Sequence, residues 1–282
     1  MFAVNFPSGA KARRLLGRVH GTTEVVPLQS SAFQMSLKGH VLLKLSILLG
    51  TVAALADVVG GLVLVRARGV ERYLRYFVAL GAGFLMATAV LEMTPESLKL
   101  SPRLGPVLIM AGYCVVHLLE HTINSHFHFG EETHHHEFVS RHTGNSVMVG
   151  LSVHALFDGV AIGSGFVVSN WLGVLIFLAI LLHKAPEGFT MASVMLASGR
   201  SRSMAFYSAV ALAAATLVGL LVIELVPSWL PYGLPISAGV ALYVAATDLV
   251  PEVNREPGIR MALVFFAGVG GFLLLRMLLP AM

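Results

Sequence analysis

The chain has 282 residues, 56% of them hydrophobic and only 12% charged, about half the charged share of a soluble domain. That balance excludes a soluble enzyme or a nucleic-acid-binding module, because the formal charge of +4 lies in short loops and near the N-terminus rather than in a basic patch. The single cysteine, Cys114, makes neither an intramolecular disulfide nor a cysteine-type zinc site, so any metal held here must use His, carboxylate or Met.

Residues 1–40 are expected to form a flexible N-terminal extension. Lys11, Arg13, Arg14 and Arg18 precede the first acid, Glu24, which gives a faint likeness to a targeting peptide. A plain tail, or a start at Met35, is the preferred reading, and the segment is assigned no function. From residue 41 to 282 eight apolar stretches follow, at 43–65, 76–94, 105–121, 146–168, 172–196, 204–226, 233–252 and 260–280. Their lengths predict an all-α integral membrane protein with eight transmembrane helices.

Arginines set the predicted direction. The turn after span one holds Arg66, Arg68, Arg72 and Arg75, the loop after span three Arg141, and the turns after spans five and seven Arg200, Arg202, Arg255 and Arg260. The opposite loops hold only Lys99 and Arg103. Both termini are therefore expected outside, with the long loop 122–145 in the cytoplasm. The plasma membrane is the default location.

Span two matches span seven without gaps, 156 residues later, through Gly83/Gly239, Ala89/Ala245, Glu92/Asp248, Pro95/Pro251 and Glu96/Glu252. Span four matches span five, 29 residues later, through His154/His183, Asp158/Glu187 and Gly159/Gly188. The members of each pair run in opposite directions. Inverted-topology repeats with binding at the midplane are a transporter signature; chance similarity between apolar segments competes with it.

The repeated motifs carry the chemistry. In His154-Ala-Leu-Phe-Asp158-Gly159 and His183-Lys184-Ala-Pro186-Glu187-Gly188, His and carboxylate sit four apart and share one helix face. From the inner end of span four, His154 lies at roughly 12 Å and Asp158 at roughly 18 Å; from the inner end of span five, Glu187 lies at roughly 14 Å and His183 at roughly 20 Å. All four reach the central slab of the bilayer, where an ionisable side chain costs roughly 2.5–3.5 kcal/mol. A bound divalent metal compensates that cost; a structural hydrogen-bond pair between packed helices is the competing reading. Pro186 is expected to kink span five and free the carbonyl of Leu182.

These two motifs resemble the signature of the ZIP (Zrt-, Irt-like protein) divalent metal transporters, over residues from about 40 to 282. The resemblance implies alternating-access uptake of zinc, or of iron, manganese or cadmium, toward the cytoplasm, and a homodimer. It implies that the ligands are His154, Asp158, His183 and Glu187, with no cofactor besides the carried ion. Two departures stand out. The family often has Asn where this chain has Ala155 and an acid where it has Lys184, positions that help to hold a second metal. One metal is therefore expected, with the Lys184 ammonium balancing Glu187; snorkelling of Lys184 is the alternative. The family often has His where Glu92 stands. Met86 on the same span offers a soft thioether or plain packing.

Glu92 and Glu96 are expected near the outer mouth of a cation path, and Asp248 and Glu252 near the inner one; solvation of helix ends is the rival reading. Residues 117–142 hold eight histidines. Those of the loop, His126, His128, His134, His135 and His136, are expected to bind metal weakly and exchangeably, without being essential. Two other functions compete: a membrane zinc hydrolase built on His117-Leu-Leu-Glu120-His121, an H-x-x-E-H pattern, and a non-transporting metal sensor. Acid is expected to protonate the ligands and weaken binding; undiminished metal affinity at about pH 5 contradicts this.

Overall fold

The computed structural model describes residues 28–66, 71–123, 141–255 and 258–278. His126, His128, His134, His135 and His136, and residues 1–27 of the extension, lie outside the described residues. The chain divides into two compact units, Met1–His40 and Val41–Met282. In the first, the described residues 28–40 are helical.

Every regular element among the described residues is helical. In chain order the α-helices are α1 (Leu28–Arg66), α2 (Glu71–Thr88), α3 (Thr94–Leu100), α4 (Gly105–Ile123), α5 (Arg141–Val168), α6 (Asn170–Ala197), α7 (Arg202–Leu225), α8 (Leu230–Tyr243), α9 (Val250–Arg255) and α10 (Ile259–Leu278). A helix occupies each of the eight expected spans. Seven are long and apolar enough to cross a membrane. The exception is α4, whose last turns carry His117, Glu120 and His121. Large apolar side chains stand exposed along α10, among them Leu263, Phe266, Leu274 and Met277, as expected of a surface that meets lipid tails. The chain is an all-α integral membrane protein.

Two π-helical turns interrupt matched spans. Ala89–Met93 joins α2 to α3, and Val244–Leu249 joins α8 to α9. Each ends just before a proline, Pro95 or Pro251, whose ring clashes with the carbonyl four residues back and which has no N–H to give. Widening the preceding turn relieves both problems. The same stroke puts Glu92 and Asp248 inside the widened turns.

Close backbone crossings show the repeat more directly. Gly60 and Gly188 meet where α1 crosses α6, Gly159 and Gly219 where α5 crosses α7, Gly83 and Gly268 where α2 crosses α10, and Gly112 and Gly239 where α4 crosses α8. A Cβ on any of these would sit 1.9–2.2 Å from a backbone oxygen of the facing helix, so only glycine permits the approach. The repeat carries each crossing onto another. Gly188 abuts the backbone of Asp57 as Gly159 abuts that of Thr216, and Gly60 faces Ala185 as Gly219 faces Leu156. Span one therefore corresponds to span six, and Asp57 to Thr216.

Candidate metal centre

The site stands on α5 and α6, which pack against each other. Helical periodicity puts His154 one turn before Asp158 and His183 one turn before Glu187, and the antiparallel packing turns both faces inward. Each of the four offers one ligand atom, and these atoms lie within 4.8 Å of one another with all four side chains buried. His154 Nε2 is 3.2 Å from Asp158 Oδ2 and 3.8 Å from Glu187 Oε2. His183 Nε2 is 3.4 Å from Asp158 Oδ2. A tetrahedron with arms of about 2 Å, the usual zinc–nitrogen and zinc–oxygen length, has edges of about 3.3 Å. The quartet is already near that size.

The tautomer of His183 follows from its neighbours. Nδ1 lies 2.9 Å from the carbonyl oxygen of Ala179. A carbonyl only accepts, so Nδ1 donates, and in the neutral ring Nε2 presents a lone pair to Asp158. Two electron-rich atoms facing each other in a buried site are well disposed to a cation. A backbone acceptor behind the distal nitrogen is also the usual way in which a metal-binding histidine is oriented. His154 Nδ1 and Glu187 Oε1 have no hydrogen-bond partner.

Lys184 occupies the centre. It is wholly buried, with Nζ 2.7 Å from Glu187 Oε2, 2.9 Å from Asp158 Oδ2 and 3.6 Å from Asp57 Oδ2. It pairs rather than snorkels. Ala155, the neighbour of His154, is fully buried and offers no donor. The helix α6 runs unbroken through Pro186.

Asp57 is the residue that the sequence reading passed over. It lies on α1, fully buried, and neither carboxylate oxygen has a hydrogen-bond partner. Its signal was available, since a lone acid in the middle of span one is costly without a role.

The other expected site residues fall into two groups. A small cavity is lined by His154, His183, Glu187, Thr190, Glu120 and Asp248, among others. Asp248 thus shares a cavity with the quartet, and Glu120 joins it, accepting a 2.7 Å hydrogen bond from Tyr243 Oη. Glu92, Glu96, Glu252 and Met86 do not line it. Glu92 pairs with Arg276 at 3.0 Å, Glu96 with Lys99 at 2.9 Å and Glu252 with Arg255 at 3.3 Å. Met86 is half-buried against the apolar core. The rings of His117 and His121 stack 4.1 Å apart on the exposed side of α4. Among the described residues, the His154 quartet is the one group of three or more His, Cys or acidic residues close enough to share a metal ion.

A family model described as ZIP Zinc transporter matches residues 139–276, which include both His-carboxylate motifs. Over that stretch the chain is similar to the ZIP zinc transporter family. Curated ZIP relatives agree. A protein named Zinc transporter ZIP9 from Micropogonias undulatus is 32% identical over 162 residues, which is 52% of this chain and 51% of that one. Its namesake from Xenopus tropicalis is 30% identical over 162 residues, 52% of each chain. Zinc transporter SLC39A7 from Homo sapiens is 28% identical over 140 residues, 45% of this chain and 29% of that one. The chain thus spans about half the length of the ZIP9 relatives that it matches. The ZIP match covers the quartet and does not favour the hydrolase reading of His117-Leu-Leu-Glu120-His121.

Proposed function

We propose that this chain carries a divalent metal ion, zinc foremost and also iron, manganese or cadmium, across the membrane toward the cytoplasm by alternating access. One ion binds His154, Asp158, His183 and Glu187. The observation that carries the reading is the convergence of these four buried donors within 4.8 Å on two helices that span the membrane. Neutral imidazole with carboxylate is a borderline donor set, suited to zinc and its first-row neighbours. Similarity to proteins named zinc transporters supports zinc as the first choice.

The cavity supports a direction. Its lining residues Glu120, Val147, Leu151, Thr190 and Asp248 all fall on the inner halves of their spans in the arginine-derived orientation. In that orientation the site is turned toward the cytoplasm, with Glu120 and Asp248 as carboxylates on the way out. The ion arrives from the opposite side, past Glu92 and Glu96, and the two inverted halves rock or slide to exchange the openings. Both termini lie outside the cell membrane, and the working unit is a homodimer. The dimer rests on the family resemblance alone, and the orientation on the arginines.

The test compares Glu187→Ala with Glu120→Ala in proteoliposomes that contain a zinc indicator. Uptake is expected to vanish in the first and to persist, reduced, in the second. Transport by Glu187→Ala together with an inactive Glu120→Ala overturns the assignment and favours the α4 motif.

A further inference from the structure

A cation that takes Asp158 Oδ2 and Glu187 Oε2 must first displace a cation already there. Lys184 Nζ holds both oxygens, at 2.9 and 2.7 Å, and it is wholly buried. An ammonium stripped of its partners in such a place is strongly unfavourable, and so is a metal ion pressed against it. The displaced charge needs somewhere to go.

We infer that Asp57 is the alternative counter-ion that receives Lys184 when the metal binds, which makes it a positioning residue for transport. The inference rests on the metal reading of the quartet. Three observations support it. Asp57 Oδ2 is 3.6 Å from Lys184 Nζ, so a movement of about 1 Å makes a hydrogen-bonded ion pair. Both carboxylate oxygens of Asp57 lack a hydrogen-bond partner while Lys184 sits on the quartet, the state of an acceptor in waiting. Packing does not require an acid there. At the equivalent crossing of the repeat, where Gly159 abuts its neighbour as Gly188 abuts Asp57, the residue is Thr216, whose hydroxyl donates to its own helix at Leu212.

Charge balance gives the same answer. With neutral imidazoles the buried group holds three carboxylates and one ammonium, a net charge of −2. One divalent ion brings it to zero. Lys184 thus stays with the protein as a tethered cation and moves between two anionic partners as the cargo comes and goes. That limits the centre to a single metal.

The experiment is an equilibrium zinc titration of the purified full-length chain in detergent micelles, repeated with cadmium, on four variants. Asp57→Asn leaves the loaded site with an excess positive charge and is expected to weaken affinity at least about tenfold. Lys184→Met leaves an excess negative charge and is expected to tighten it by a similar factor. The double variant is neutral when loaded and is expected to return to within about threefold of wild type. Asp57→Glu keeps the charge and is expected to bind like wild type. Thermal unfolding of each metal-free variant accompanies the titrations. Asp57→Asn that unfolds at lower temperature yet binds zinc with wild-type affinity overturns the inference and leaves Asp57 a structural partner. A double variant that still binds zinc about tenfold more weakly than wild type, as Asp57→Asn alone is expected to, overturns it as well. No zinc or cadmium binding by folded wild type overturns the metal reading beneath it, a different and separable result.

Discussion

Asp158 Oδ2 is shared by His154, His183 and Lys184, at 3.2, 3.4 and 2.9 Å. The centre is therefore a polar network by itself, and in the proposed reading its members serve stability and binding together. Asp158→Asn removes the charge that Lys184 leans on, while Glu187 and Asp57 remain. Zinc binding is expected to disappear, and the metal-free protein to lose about 1–3 kcal/mol of stability. Zinc titration paired with thermal unfolding reads both; a metal-free protein of unchanged stability contradicts the network. The four converging side chains were legible from their i, i+4 spacing and apolar surroundings, because helical periodicity alone puts each pair on one face. Asp57 was not paired with Lys184 in advance. That contact depends on a third helix, and nothing in a linear pattern says which helix crosses which.

The helices meet through glycine. Span lengths and order could be read from apolar stretches, and the matched residues of spans two and seven, and of four and five, revealed half of the repeat. The link between spans one and six was hidden, since it rests on Gly60 and Gly219 occupying equivalent crossings rather than on a shared motif. The π turns at Ala89–Met93 and Val244–Leu249 escaped for a similar reason, as hydrophobic periodicity does not report one extra residue in a turn. The prolines that follow them were the available clue. A paired test separates crossing from helix propensity. Gly159→Ala puts a methyl 1.9 Å from the Thr216 carbonyl oxygen, whereas Gly271→Ala on α10 meets nothing within 4 Å. The first is expected to lower thermal stability by about 1–3 kcal/mol or to prevent folding. The second is expected to be neutral or to gain up to about 1 kcal/mol. Equal responses contradict the tight crossing.

At the scale of the molecule, one asymmetry matters most. The repeat supplies two nearly equivalent helix pairs, α1 with α6 and α7 with α5, yet only the first brings a carboxylate, Asp57, to the centre. Under the proposed mechanism, Asp57 and Lys184 together turn a symmetric scaffold into a site for one ion. In the proposed mechanism the cavity that Glu120 and Asp248 share with the quartet is that ion's way out. The most direct measurement is metal uptake into proteoliposomes containing a fluorescent zinc indicator, with wild type set beside a His183→Ala, Glu187→Ala double variant. Transport by wild type that falls to the level of empty vesicles in the double variant is the predicted result. Equal uptake by both, or no uptake of zinc, iron, manganese or cadmium by well-folded wild type, contradicts transport through the His154–Asp158–His183–Glu187 centre.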